Sequence, residues 1–283
     1  MGEGKLMKIR IVVDSSANLK TDLSRNLISA PLKITAGEKT FVDDEHLSVK
    51  EMADYLASYN GKSGSACPGT GEWIEAFGDA EWVFVVTITS NLSGAYNAAR
   101  VAMEQHLEDH PECKIHVFDS LSTAGEMILI VEKIEELVGK GMEFDSICEE
   151  VHSYMKNTYL EFTLKSLRNL ANNGRVSPAV AKLAGMIGLQ LVGKASEVGT
   201  LEPTDKVRGE KKAISTIYKN MKGLGYKGGK VRIDHCLNLP AAEKLADMVR
   251  EEYPQADIKI DVVGGLCCFY AEIGGLLVGF EAV

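Results

Sequence analysis

The segment Thr87 to Tyr96 (TITSNLSGAY) places the hydroxyls of Thr89, Ser90 and Ser93 within five residues, with Asn91 among them and Gly94 directly after. From Ala95 onward small apolar residues recur at helical spacing (Ala95, Ala98, Ala99, Ala102, Met103), so Ser93 and Gly94 fall at or beside a helix start. Such a terminus leaves about four backbone N–H groups without intrahelical partners and carries roughly half a positive charge. A hydroxyl next to them, and a glycine that lets a ligand come close, make a site for a small anion, a carboxylate or a phosphate. The same serines also fit plain helix capping, and this segment alone divides the two readings evenly.

The other polar turns are of the same kind. Asp14-Ser15-Ser16 follows the apolar run ending at Val13, and Asp119-Ser120 follows Phe118. The loop from Asn60 to Gly71 carries four glycines and the hydroxyls of Ser63, Ser65 and Thr70. Parallel strands of an open α/β sheet deliver their C-terminal ends to one edge, where ligands bind. Polar loops are cheap on any surface, but several converging on one edge favour a hydroxyl-lined pocket.

Catalytic chemistry has less support. Ser93 sits in Leu-Ser-Gly rather than a GxSxG elbow, and the only histidine at a strand end in the second half is His235. A Ser93/His235 hydrolase is therefore carried only as an alternative, and no catalytic residue is assigned. No His or Cys pair has metal-ligand spacing with a third partner, so no metal is expected. No GxGxxG follows the first strand, and Lys62-Ser63 opens the glycine-rich loop instead of closing it, which argues against a nucleotide. Hydroxyls and amides without a base suit holding a carboxylate. A long apolar tail could then lie between domains, at ~0.8 kcal/mol per buried methylene, or about 8 kcal/mol for ten. The helix Ala179 to Ile187, with Leu189 and Leu191, is apolar enough to wall such a tunnel, although a stripe of this kind is more often plain core.

The elements that must hold these loops read as α/β. Strands are expected at Met7–Val13, Ala30–Ile34, Lys39–Val42, Trp82–Val86, Ile115–Phe118, Tyr159–Leu164, Lys230–Asp234, Ile258–Val263 and Leu276–Val283. Leu189–Val192 and Glu197–Leu201 could pair or flank a turn. Helices are expected at Val49–Tyr59 behind a Ser48 cap, and at Glu72–Phe77, Thr123–Val138, Phe144–Lys156, Lys211–Met221 and Pro240–Tyr253. At 283 residues two domains fit better than one, 1–157 and 158–283, the first with a largely parallel sheet and the ligand site between them.

A net charge of −9 and no basic arm argue against nucleic acid and against a polybasic grip on a membrane. No run nears the roughly 18 apolar residues of a membrane span. The six cysteines show no CxxC spacing, and a reducing, cytoplasmic setting is expected.

Taken in order, Val13-Asp14-Ser15-Ser16, Ser65-Ala66-Cys67-Pro68, Thr87 to Asn97, Phe118-Asp119-Ser120, Asn173-Gly174-Arg175 and Lys206-Val207-Arg208-Gly209 resemble the DegV family over nearly the whole chain. The resemblance implies a bacterial fatty-acid-binding protein, in some members the acyl-carrying subunit of a fatty acid kinase. It further implies two α/β domains with one long-chain fatty acid between them and its carboxylate on two hydroxyls. Those fall on Ser93 and on Ser65, where the family usually has threonine. Thr89, Asn91 and Gly94 belong to the same loop. Asp14, Ser15 and Ser16 would shape the adjoining turns, and Arg175 would face the pocket mouth. Ala66 replaces a usual serine, Glu210 stands where a basic residue is common, and Tyr270-Ala271-Glu272-Ile273-Gly274 replaces His-Thr-Gly-Pro-Gly. Glu210 and Glu272, if near the head group, would repel a phosphate. The expectation is a lipid carrier with no cofactor beyond its fatty acid. A kinase partner is the first rival reading and the hydrolase the second.

Overall fold

The computed structural model describes residues 7–181 and 188–282; the expected helix to Ile187 and the last residue of the closing strand thus lie partly outside it. The strands are β1 (Ile9–Asp14), β2 (Leu27–Ala30), β3 (Lys33–Ala36), β4 (Lys39–Val42), β5 (Ser63–Ala66), β6 (Trp82–Thr87) and β7 (Lys114–Asp119). They continue as β8 (Thr158–Leu164), β9 (Leu189–Ala195), β10 (Leu201–Arg208), β11 (Val231–His235), β12 (Ile258–Val262) and β13 (Leu276–Glu281). The helices are α1 (Val49–Ser58), α2 (Thr70–Phe77), α3 (Ala95–Asp109), α4 (Ala124–Gly139) and α5 (Phe144–Met155). Then come α6 (Arg168–Asn172), α7 (Pro178–Ala181), α8 (Glu210–Gly223), α9 (Leu239–Glu252) and α10 (Gly265–Ala271).

The first half is built on a parallel sheet of order β2-β1-β6-β7. Val12, Val13 and Val83 to Val86 have no exposed surface, as unbroken apolar strands require when helices cover both faces. Two helix pairs, α2 with α3 and α4 with α5, supply that cover, and Phe84 stacks on Phe144. Because β1, β6 and β7 are adjacent and parallel, their polar C-terminal turns share one edge, as the sequence reading expects. A small antiparallel sheet, β4-β3-β5, stands beside it.

The second half is a mixed sheet of order β10-β9-β8-β13-β11-β12, antiparallel except for β11 with β12. Helices α8 and α9 pack on it. The expected boundary near Asn157 falls in the turn between α5 and β8.

Helix α4 joins the halves, packing on β6 and also on β13 and β11. Backbone meets backbone where Gly125 crosses Gly279. A Cβ on Gly125 would lie 2.5 Å from Arg232 O, and one on Gly279 would lie 2.1 Å from Gly125 C. Two turns on, buried Arg232 grips Glu132 of α4 through Nε (3.0 Å) and Nη2 (2.6 Å), with Asp257 as a second carboxylate partner (2.8 Å). This forked pairing is the geometry that suits a guanidinium and a carboxylate.

Three expectations need correction. Pro31 lacks an N–H for the ladder and splits the expected Ala30–Ile34 strand into β2 and β3. The Asn60–Gly71 loop contains β5, a strand without apolar alternation that exists because its backbone pairs with β3. Helices α6 and α10 fall where no helix is expected, and α10 sits between two glycine pairs, Gly264-Gly265 and Gly274-Gly275. Of the two segments read as pairing or flanking a turn, Leu189–Val192 lies in β9 and Glu197–Leu201 forms most of the turn into β10, its antiparallel partner.

Candidate functional site

A cavity of about 300 Å³ lies between the polar edge of the parallel sheet and the mixed sheet. Strand alternation makes its long wall: Leu160, Phe162 and Leu164 of β8 face it, while Glu161 and Thr163 between them face the other way, toward Asn220 and Gln190. Leu277 of β13, Ala195 of β9 and Leu201 of β10 extend that wall. Leu32, Ile88 and Leu92 close it from the first half, together with Leu266 of α10, which packs into that half's core. Such a space favours an apolar occupant.

One end of the cavity is polar. Ser93 lines it, and its Oγ accepts the Ala95 N–H at 3.2 Å, so the capping and pocket-lining roles coincide in one side chain. Accepting uses a lone pair; the hydroxyl proton makes no hydrogen bond among the described residues and remains free to donate. Gly94 lines the cavity with φ −76° and ψ 0°, so its backbone does not demand glycine. Ser65 reaches the same space from β5, and its Oγ stands 2.8 Å from the Tyr270 hydroxyl on α10. Arg175 also lines the cavity. Its Nε donates to Leu92 O at 3.1 Å and its Nη1 to Asn173 O at 2.5 Å, and no carboxylate pairs with it among the described residues.

Thr89, buried, lines the cavity and accepts the Asn91 N–H at 3.3 Å. Asn91 does not line it. Instead its Nδ2 donates to Val198 O at 2.6 Å, tying the Ser93 loop to the β9–β10 turn. At that turn Gly199 (φ +75°) lies so close that a Cβ would meet Thr89 Oγ1 at 2.1 Å, and together with Thr200 it roofs the cavity.

Asp14, Ser15 and Ser16 stay behind the walls. Asp14 accepts the Ile88 N–H at 2.7 Å and bonds Ser16, and burial pushes its carboxyl up to about 6 against those bonds. Ser15 donates to Asp43 at 2.8 Å and accepts the Leu32 N–H at 3.0 Å. Asp43 in turn accepts the N–H groups of Gly265 (2.5 Å) and Leu266 (2.9 Å), fixing the start of α10 and hence Tyr270. The sequence reading counts Asp14, Ser15 and Ser16 among the ligand-site residues; they hold the neighbouring turns and do not line the cavity.

Glu210 and Glu272 lie outside the lining. Glu210 pairs with Lys165 at 2.9 Å and accepts from Asn238, and Glu272 accepts from Ser166 and Asn169. His235 does not line the cavity either, and its Nδ1 accepts the Asn238 N–H at 3.1 Å, so Ser93 has no histidine base there. Among the described residues no group of three or more His, Cys, Asp or Glu is placed to hold a metal ion. No helix of those residues is long and apolar enough to cross a membrane.

The sequence profile described as "Uncharacterised protein, DegV family" matches residues 8–282. The chain belongs to the DegV family. A DegV domain-containing protein of Streptococcus pneumoniae is 40% identical over 279 residues, covering 97% of this chain and 99% of its own. Among solved structures, a DegV family protein from Eubacterium eligens loaded with heptadecanoic acid has a TM-score of 0.94 at 41% identity, over 97% of this chain and 100% of that one. The Streptococcus pneumoniae Fatty Acid Kinase (Fak) B3 protein loaded with linoleic acid has a TM-score of 0.95 at 40% identity, over 98% and 100%.

Sequence reasoning missed part of this DegV site. Tyr270 is noted only as a departure from the family, yet it is the partner of Ser65. Thr123, which donates to Ser16 O at 3.2 Å, and Thr200 also line the cavity. Leu189 and Leu191 do not line it; Leu191 is buried beside Leu164, its register partner on the same sheet face. Of the expected Ala179–Ile187 wall, residues 182–187 lie outside the described residues. The alternation of apolar and polar residues along β8 (Leu160-Glu161-Phe162-Thr163-Leu164) was the signal that could have found the true wall.

Proposed function

We propose that this chain binds one long-chain fatty acid, its carboxylate held by the hydroxyls of Ser65 and Ser93 with Arg175 at the mouth, and its tail along the β8 wall. The observation that carries the reading is an apolar cavity whose lining includes two hydroxyls, Ser93 beside a helix start and Ser65 on β5, with no histidine among its described lining residues. A neutral hydroxyl and helix N–H groups hold an anion without a buried counter-ion. The two full-length relatives loaded with heptadecanoic and linoleic acid support the same class of ligand. In this reading the protein is a carrier and performs no chemistry itself. Titration with a fluorescent fatty acid tests it. Saturable one-to-one binding displaced by palmitate is expected, and no displaceable binding would refute it.

A second reading, that the bound acyl group is presented to a kinase, is favoured by the likeness to the Fak B3 protein. Glu210 and Glu272 are held by their own partners outside the cavity, which removes the sequence-level objection of phosphate repulsion. Incubation with palmitate, ATP and a cognate kinase subunit then yields acyl phosphate; its absence leaves the carrier reading alone.

A further inference from the structure

Cys236, just past β11, and Cys268, on α10, are free thiols whose Sγ atoms stand 3.0 Å apart. Both are held by backbone bonds. Cys236 N donates to Gly275 O at 2.9 Å and its carbonyl accepts from Gly274 at 2.8 Å, while Cys268 N donates to Gly264 O at 2.9 Å. A disulfide needs the sulfurs to close by about 1 Å, to the ~2.05 Å of an S–S bond. The third nearby thiol is occupied elsewhere, since Cys267 Sγ contacts Ser16 O at 3.4 Å and Thr123 Oγ1 at 3.6 Å. A second cavity, about 230 Å³, reaches Cys268 on a different face of α10 from the one that lines the fatty-acid site.

We propose that Cys236 and Cys268 form a peroxide-oxidisable pair whose disulfide clips α10 to the end of β11. The sulfur of Cys268, the residue of the pair that lines the small cavity, attacks one oxygen of hydrogen peroxide; the O–O bond breaks, leaving a sulfenic acid and one water. The Cys236 sulfur then attacks the Cys268 sulfur, the S–O bond breaks, and the hydroxide leaves with the Cys236 proton as a second water. Two thiols and one peroxide thus become one disulfide and two waters. The hydrogen bond with Cys268 and burial hold the Cys236 thiol far above its ordinary range, which keeps it protonated and disfavours it as the sulfur that meets peroxide first. Because α10 also carries Tyr270 and Cys267, the clip stiffens one wall of the cavity; this consequence, unlike the bridge itself, rests on the proposed fatty-acid binding.

The test treats the full chain with hydrogen peroxide, alkylates it unfolded, and maps it without reduction. The expected result is the loss of two hydrogen atoms in mass, a peptide joining Cys236 to Cys268, and its disappearance with dithiothreitol. Alkylation of both residues as free thiols, or a bridge that uses Cys267, overturns the proposal. Cys268→Ala must abolish the bridge; since the map of the unsubstituted protein already decides the matter, a misfolded variant does not leave it open. Release of a fluorescent fatty acid is expected to slow several-fold on oxidation and recover on reduction. Unchanged release with the bridge formed refutes the link to the cavity, and failure to bind the probe at all refutes the fatty-acid reading while the mapped bridge stands.

Discussion

At the start of α3 the Ser93 oxygen accepts the Ala95 N–H while its proton is free to donate, so in the proposed complex Ser93→Ala removes two interactions at once. A hydrogen bond to a charged group is worth ~1.5–3 kcal/mol, so palmitate affinity in calorimetry is expected to fall about tenfold to a hundredfold. Ser93→Thr keeps the oxygen and should retain most of the affinity; equal loss in both variants would contradict a hydroxyl role. Tyr270→Phe tests the neighbouring contact. It leaves the cavity shape intact but frees the Ser65 hydroxyl, so its effect and that of Ser65→Ala should be non-additive. The buried acids give a separate test. Burial pushes the Glu126 carboxyl from 4.5 up to about 7, against the hydrogen bonds of Ser122 and Thr158. The folded protein therefore holds a proton that the unfolded chain has lost, and that contribution is complete below about pH 4.5 and gone once pH passes about 7. Glu126→Gln keeps an acceptor for Thr158 and never ionises. Its melting temperature should gain on that of the unsubstituted protein from pH 5 to pH 8, toward a difference of about 3 kcal/mol; a constant gap would contradict the assignment.

The elements differ in how much of them the residues announce. Strands β1 and β6 are legible because their burial on both faces needs unbroken apolar runs, and the polar turns after them were read as converging for the same reason. Strand β5 and helix α10 were not. Ser63–Ala66 has no apolar pattern and owes its shape to pairing with β3, and α10 is short, its start held by a carboxylate far away in sequence, Asp43. The two hydroxyls that matter were thus readable one by one, Ser93 from its helix and Ser65 only from the family likeness, but the Tyr270 contact was not. Glycines give the sharpest tests at this scale. Gly279→Ala sets a methyl against the α4 backbone, which cannot yield, and should lower stability in urea by about 3 kcal/mol or more. Gly94→Ala meets only Cys67 Sγ, at 3.5 Å, so stability should hold while the added methyl narrows the polar end and weakens palmitate binding. A reversed pattern would contradict the placement of both glycines.

Across the whole molecule, α4 fastens the parallel sheet to the mixed sheet through the Gly125–Gly279 crossing and the Arg232–Glu132 fork, and the cavity occupies the space that this joint leaves. The polar edge of one half and the apolar β8 face of the other are each ordinary alone; brought together they make an amphipathic slot matched to an acid with a long tail. The measurement that tests this most directly is a crystal structure of the protein with palmitic acid. The account predicts the carboxylate within hydrogen-bond reach of Ser93 Oγ and Ser65 Oγ, with the chain passing Leu160, Phe162 and Leu164. A carboxylate found away from residue 93, or a tail lying outside the β8 wall, would contradict it.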